Sequence, residues 1–132
     1  MPAFEIATGR KTELVEVTGQ VREALADARA AAAVLVYVPH TTAGVVVQER
    51  ADPAVARDVE RALARIVAEG WEWEHVEAGE ANAPSHVRSA LTATSVVIPL
   101  HDGDLALGRW QGVFLCEFDG PRRRTVSVTP LS

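Results

Sequence analysis

Residues 34–49, VLVYVPHTTAGVVVQE, constrain this chain more than any other stretch. Two apolar runs flank a polar corner made of Pro39, His40, Thr41, Thr42 and Gly44. Short apolar runs bounded in this way read as strands. Val34, Val36 and Val38 alternate with Leu35 and Tyr37, so both faces of the first strand are apolar. The pattern predicts a strand inside a sheet that is covered on both sides. Pro39 has no N–H to give a ladder, so pairing should stop there and leave His40 free to point elsewhere. The second run, 45–47, carries the chain to Glu49, just before a helix signal. One supersecondary unit should therefore present an imidazole, two hydroxyls and a carboxylate at the rim of a rigid sheet.

The rest of the chain supplies partners for that unit. Residues 4–7 and 12–17 read as strands joined by a hairpin turn at Gly9-Arg10-Lys11. Thr18 has the chemistry of an N-cap, and Val21, Ala24, Leu25 and Ala28 recur at helical spacing toward Ala32. Asp52 followed by Pro53 opens a second helix, whose apolar stripe is Val55, Val59, Leu63, Ile66 and Val67 and which Gly70 should close. Residues 71–81 show neither period and read as a loop. Asn82, Ala83, Pro84 and Ser85 start a short helix over 84–91, with Val87, Ala90 and Leu91 as its apolar stripe. Strands follow at 95–100, 104–107 after an Asp102-Gly103 turn, 113–118, and 123–129 after Asp119-Gly120-Pro121. The expectation is a single α+β domain over 1–132, a largely antiparallel sheet or sandwich with two main helices and one short one.

A chain of 132 residues can bury a core without disulfides, and its single Cys116, in the run VFLCEF, excludes an internal disulfide framework. That usage fits a reducing cytoplasm. No apolar run approaches a membrane span, so a soluble protein is expected, with no membrane partner. The net charge of −5, from 13 basic against 18 acidic residues, argues against a nucleic-acid partner held through phosphates. Arg122, Arg123 and Arg124 form the one basic cluster. Alternate strand residues point to opposite faces, so the three cannot all serve one ligand, and a solvated or subunit-facing edge is expected.

Several residues could carry chemistry. Asn82 and His86 stand four apart, so an amide and an imidazole emerge on nearly one helix face, although Asn82 also suits an N-cap. His40, His86 and Glu49 together would make an open site for a divalent metal, zinc or magnesium. The same groups could instead act as general acid and base. His75 and His101 read as ordinary surface histidines. Glu117 falls on an otherwise apolar strand face, where a carboxylate needs either a pair with Arg109 or one of the terminal arginines, or a role as a site acid beside Asp119. Trp110 and Gln111, between two glycines, have the form of a ligand-facing lip. For phosphate, the start of the short helix at 83–85, with Thr41 and Thr42, is the best candidate.

With these residues in place, the chain resembles the YjbQ-type family, described as secondary thiamine-phosphate synthases. The resemblance rests on PHTTAG with the following Glu49, ADP opening a helix, NAPSH at 82–86, DGDLALGRWQG, and CEFDGPRRR near the end. It implies a compact α+β homotrimer with a polar pocket near the subunit interface. His40, Glu49, Asn82 and His86 fall on the family's polar motif positions, and Trp110, Gln111, Glu117 and Asp119 on its later ones. The implied activity joins a pyrimidine diphosphate to a thiazole phosphate and releases pyrophosphate, at a low rate. The alternative is a non-catalytic trimeric module that binds a metal or a small phosphorylated molecule.

Overall fold

The computed structural model describes residues 2–76 and 81–132. Eight strands and three helices follow in the order β1 (Ala3–Ala7), β2 (Glu13–Glu16), α1 (Thr18–Leu25), β3 (Ala33–Tyr37), β4 (Ala43–Glu49), α2 (Pro53–Ile66), α3 (Ala83–Thr92), β5 (Ser95–His101), β6 (Asp104–Leu105), β7 (Gln111–Glu117) and β8 (Arg123–Leu131). They form a five-stranded sheet of order β1-β8-β3-β5-β6 and a three-stranded sheet of order β2-β7-β4. The ladders run antiparallel. This is the mixed, mostly antiparallel α+β architecture that the patterning predicts. No helix among the described residues is long and apolar enough to cross a membrane.

One apolar cluster joins the two sheets. Val34, Val36, Ile98, Val126 and Val128 come from the five-stranded sheet, Val45, Val113 and Leu115 from the three-stranded sheet, and Val21 and Leu25 from α1. The strand residues recur at every second position, as a period of two requires, and Val21 and Leu25 stand four apart on α1. The expectation that β3 is covered on both faces does not hold within the chain. Val34 and Val36 face the core, whereas Tyr37 stays 43% exposed and Val97, on the adjoining β5, 56% exposed. The outer face of this sheet thus carries exposed apolar side chains at Tyr37 and Val97 that nothing covers among the described residues.

Other local expectations are corrected by long-range pairing. β1 and β2 are not a hairpin, because β1 pairs with β8 and β2 with β7, in different sheets. The Thr18 hydroxyl does not cap α1; it donates to Glu16 at 2.8 Å and accepts from the Val113 N–H at 2.9 Å. α1 stops at Leu25, short of Ala32, and a single 3-10 turn over Ala26–Ala28 follows it. Asp52 does cap α2, accepting from the Ala54 N–H at 2.9 Å with Pro53 in the first turn. That helix ends at Ile66, four residues before Gly70.

α3 is turned the opposite way from its apolar stripe. It buries Ser85, Arg88 and Ser89 and leaves Leu91 exposed. The inward hydroxyls satisfy strand carbonyls, Ser85 to Phe118 and Ser89 to Ala43, both at 2.5 Å. Gly44 permits that approach, since a Cβ there would lie 2.2 Å from Thr92 Oγ1 and 2.6 Å from the Ala93 carbonyl. The Asp102-Gly103 turn forms as expected, with both residues at positive φ.

Candidate functional site

The PHTT corner is the crossing between the two sheets. β3 leaves its ladder after Tyr37, which pairs with Ser127 of β8, and β4 begins at Ala43 in the other sheet. In that register the next inward-bonding residue of β8 is Thr125. Its N–H donates to His40 Nε2 at 2.9 Å, so beyond the end of β3 the imidazole takes the place of a strand carbonyl as acceptor. An Nε2 that accepts leaves the proton of the neutral ring on Nδ1. Burial holds the His40 pKa below its ordinary 6.5, with the Arg124 charge, and more weakly Arg122, acting in the same direction against the opposing effect of Glu117. The ring is therefore a neutral donor.

His40, Thr41, Thr42, Tyr37, Pro39, Arg122 and Arg124 line one cleft of about 440 Å³. Behind it lies a buried ion pair. Arg124 donates from Nε to Glu117 Oε1 at 2.9 Å and from Nη2 to Glu117 Oε2, and the same Nη2 reaches Thr42 Oγ1 at 2.8 Å. Both side chains are almost fully buried, at 2% and 0% exposure. The Thr8 hydroxyl at 2.7 Å and the Asp119 N–H at 2.9 Å complete the shell of Glu117. Burial alone would raise the Glu117 pKa, but the bonds from Arg124, Asp119 and Thr8 outweigh it and hold the carboxyl below the usual glutamate range. Arg124 Nη1 has no hydrogen-bond partner among the described residues, although Arg124 lines the cleft.

A second chain of contacts braces Arg122. Asp119 accepts from Arg122 Nη2 at 2.9 Å and from Asn82 Nδ2 at 2.8 Å, and the Asp119 carbonyl accepts from Arg122 Nε at 2.8 Å. Asn82 occupies the N-cap position of α3 without capping through its side chain. It instead ties that helix to the cleft wall, and its buried Oδ1 lacks a partner among the described residues.

The family model described as UPF0047 protein YjbQ-like matches residues 2–132. The chain belongs to the YjbQ/UPF0047 family. It is 38% identical to a UPF0047 protein of Methanocaldococcus jannaschii over 126 residues, 95% of this chain and 89% of the relative. With the UPF0047 protein YugU of Bacillus subtilis it shares 36% over 129 residues, 97% of this chain and 96% of that one. A crystal structure of an uncharacterized conserved protein of the same family from Clostridium acetobutylicum superposes with a TM-score of 0.93 at 32% identity, covering 99% of this chain and 100% of that one. A conserved hypothetical protein from Thermus thermophilus gives a TM-score of 0.90 at 39% identity, again covering 99% of this chain and 100% of that one.

In this YjbQ-family chain the expected site residues fall into four places. His40, Thr41 and Thr42 line the cationic cleft, with Glu117, Asp119 and Asn82 bracing its two arginines. His86 lines a different cleft, with His75, Trp73 and Glu74. Glu49 lines a third, with Arg50, Arg57 and Glu60. Trp110 stands exposed under the Arg109 guanidinium at 4.7 Å, and Gln111 folds back to accept from the Gly108 N–H at 2.8 Å. One chain thus does not gather His40, His86 and Glu49 around a single metal. Among the described residues no three His, Cys, Asp or Glu side chains form a metal-binding group.

Two arginines that line the cleft lie outside the expected site set. Arg122 and Arg124 share the cleft, while Arg123 pairs with Glu5 at 3.1 Å outside it. The three are therefore not one solvated edge. Strand alternation already separated the middle arginine from its neighbours, and that signal identifies the pair. The start of α3 is a poor phosphate cradle, because Ala83, Pro84 and Ser85 are buried, the Ser85 hydroxyl is committed to Phe118, and Asp119 stands beside Asn82. Cys116 is buried, and its thiol pKa is pushed up to about 12 by that burial, so it is not a nucleophile.

Proposed function

We propose that the His40 cleft binds the phosphate groups of a small phosphorylated molecule and supports a low-rate thiamine-phosphate synthase-like transfer. That reaction joins a pyrimidine diphosphate to a thiazole phosphate: a ring nitrogen bonds to carbon, the carbon–oxygen bond to the diphosphate breaks, and pyrophosphate leaves with the electron pair. Such chemistry needs fixed donors where negative charge collects. The observation that carries the reading is two arginines, two threonines and a neutral imidazole lining one cleft. Arg124 is held rigid by Glu117, and Arg122 by Asp119, so both present guanidinium donors at small further entropic cost. His40 contributes an Nδ1–H and no base, because Thr125 occupies its other nitrogen.

His86 and Glu49 join this chemistry only if a second copy of the chain brings their clefts against that of His40. The same holds for a zinc or magnesium ion held by His40, His86 and Glu49. The uncovered face with Tyr37 and Val97, continuous with the cleft through Tyr37, supports a homotrimer. Sedimentation should give the mass of three chains, and the mass of one would contradict it.

The lack of a free base in the cleft among the described residues favours a second reading, a non-catalytic binder of the same ligands, which predicts binding without turnover. The test is thiamine phosphate formation by the purified protein. Under the catalytic reading His40→Ala lowers the rate about 100-fold, the order expected when one charge-stabilising donor is lost. Product formation equal in wild type and His40→Ala would remove His40 from the reaction. Tight pyrophosphate binding without any product would leave the binder.

A further inference from the structure

The second cleft, of about 360 Å³, is lined by Trp73, Glu74, His75, Ala83, His86 and Val87. The imidazoles of His75 and His86 lie 5.1 Å apart between ring centroids, with their planes at 86°. Each is carried by a braced segment. His86 sits in the first half of α3, and the segment before His75 is held by the Trp73 indole, which donates to the Ala68 carbonyl at 3.1 Å, and by the Trp71–Trp73 stack at 5.4 Å. Two imidazoles on one tetrahedral ion have metal–nitrogen bonds of about 2.0–2.1 Å, which puts the ring centroids roughly 5 Å apart. The observed separation matches that spacing.

We propose that His75 and His86 form a two-imidazole site for a borderline divalent ion of the zinc class. Two nitrogen donors suit Zn²⁺ or Co²⁺ and not Mg²⁺, which takes oxygen ligands. Glu74 adds a carboxylate to the cleft wall, but no third His, Cys, Asp or Glu completes the group among the described residues. Such an ion takes four ligands, so two imidazoles leave positions for further donors. The assignment uses a different ligand set from His40, His86 and Glu49, and it does not depend on phosphate binding in the His40 cleft.

The test is titration of the full-length protein with Co²⁺, followed by its visible absorption, and with Zn²⁺ in competition. Wild type should bind one ion per chain. His75→Ala and His86→Ala should each weaken binding by at least about 10-fold, since even loss of an outer partner of a ligand has that effect. His40→Ala, Glu49→Ala and the surface variant His101→Ala should retain the ion. Urea unfolding of each variant separates a lost ligand from a lost fold. The proposal is overturned if wild type binds neither ion, if His75→Ala binds as wild type does, or if His40→Ala or Glu49→Ala loses the ion. Pyrophosphate binding by His75→Ala should stay at the wild-type level, so this site and the His40 cleft can fail separately.

Discussion

Arg124→Ala should lower the unfolding free energy by about 3–5 kcal/mol, the range for removing one partner of a buried ion pair. The variant leaves Glu117 fully buried with only Thr8 and the Asp119 N–H as donors. It also strips Thr42 of the guanidinium that orders it, so the cleft loosens together with the fold. The double variant Arg124→Met, Glu117→Leu should recover most of the loss, because neither charge is then stranded. The pH dependence has a definite sign. The folded-state pKa of Glu117 lies below its ordinary 4.5, so its contribution is complete above pH 4.5 and is lost as pH falls through the lowered value. Without Arg124, burial acts in the opposite direction and favours the protonated acid. The gap between wild type and Arg124→Ala should therefore begin to narrow above pH 4.5, as the stranded acid takes up its proton, and narrow further below it as wild type loses the contribution of the pair. A single-variant loss under about 1 kcal/mol at neutral pH would mean that the pair behaves as a surface ion pair.

Gly44→Ala should be the next most damaging change, by about 1–3 kcal/mol, as overpacking of a closed contact requires. Its Cβ would meet Thr92 Oγ1 and the Ala93 carbonyl at 2.2 and 2.6 Å. The hydroxyl can rotate away, but the carbonyl is held by the Val45 N–H at 3.1 Å and belongs to a residue at φ 71°. Truncating Thr92 to Ala in the same chain should therefore restore only part of the loss. The check is the urea midpoint at constant slope. An unchanged midpoint would show that α3 does not rest on β4 as closely as described.

These two positions also show what could be read in advance. The corner at 39–44 was legible because proline must end a ladder and two threonines beside a histidine make an unusual polar insertion between valine runs. Glu117 was legible as an acid on an apolar face. Its partner was narrowed to Arg109 or one of the terminal arginines, and only the β1-β8-β3 order, which makes the last strand central, singles out Arg124. The face of α3 was misread for a related reason. An apolar stripe normally points inward, but Ser85 and Ser89 reach strand carbonyls that a leucine could not satisfy, and the stripe is left outside. Hairpin signals near Gly9 had no means of showing that β1 and β2 belong to different sheets. His75 gave no signal in a segment without a period, and only its contact with His86 distinguishes it.

The proposed function rests on phosphate binding in the cleft under the PHTT corner. Calorimetric titration of inorganic pyrophosphate into wild type, His40→Ala, Arg122→Ala and the exposed control His101→Ala tests it most directly. Wild type and His101→Ala should bind saturably, with affinity falling by about 10-fold or more in each of the other two, the order expected for a hydrogen bond to a charged group. Equal affinity in all four proteins, or no binding by wild type, would contradict it.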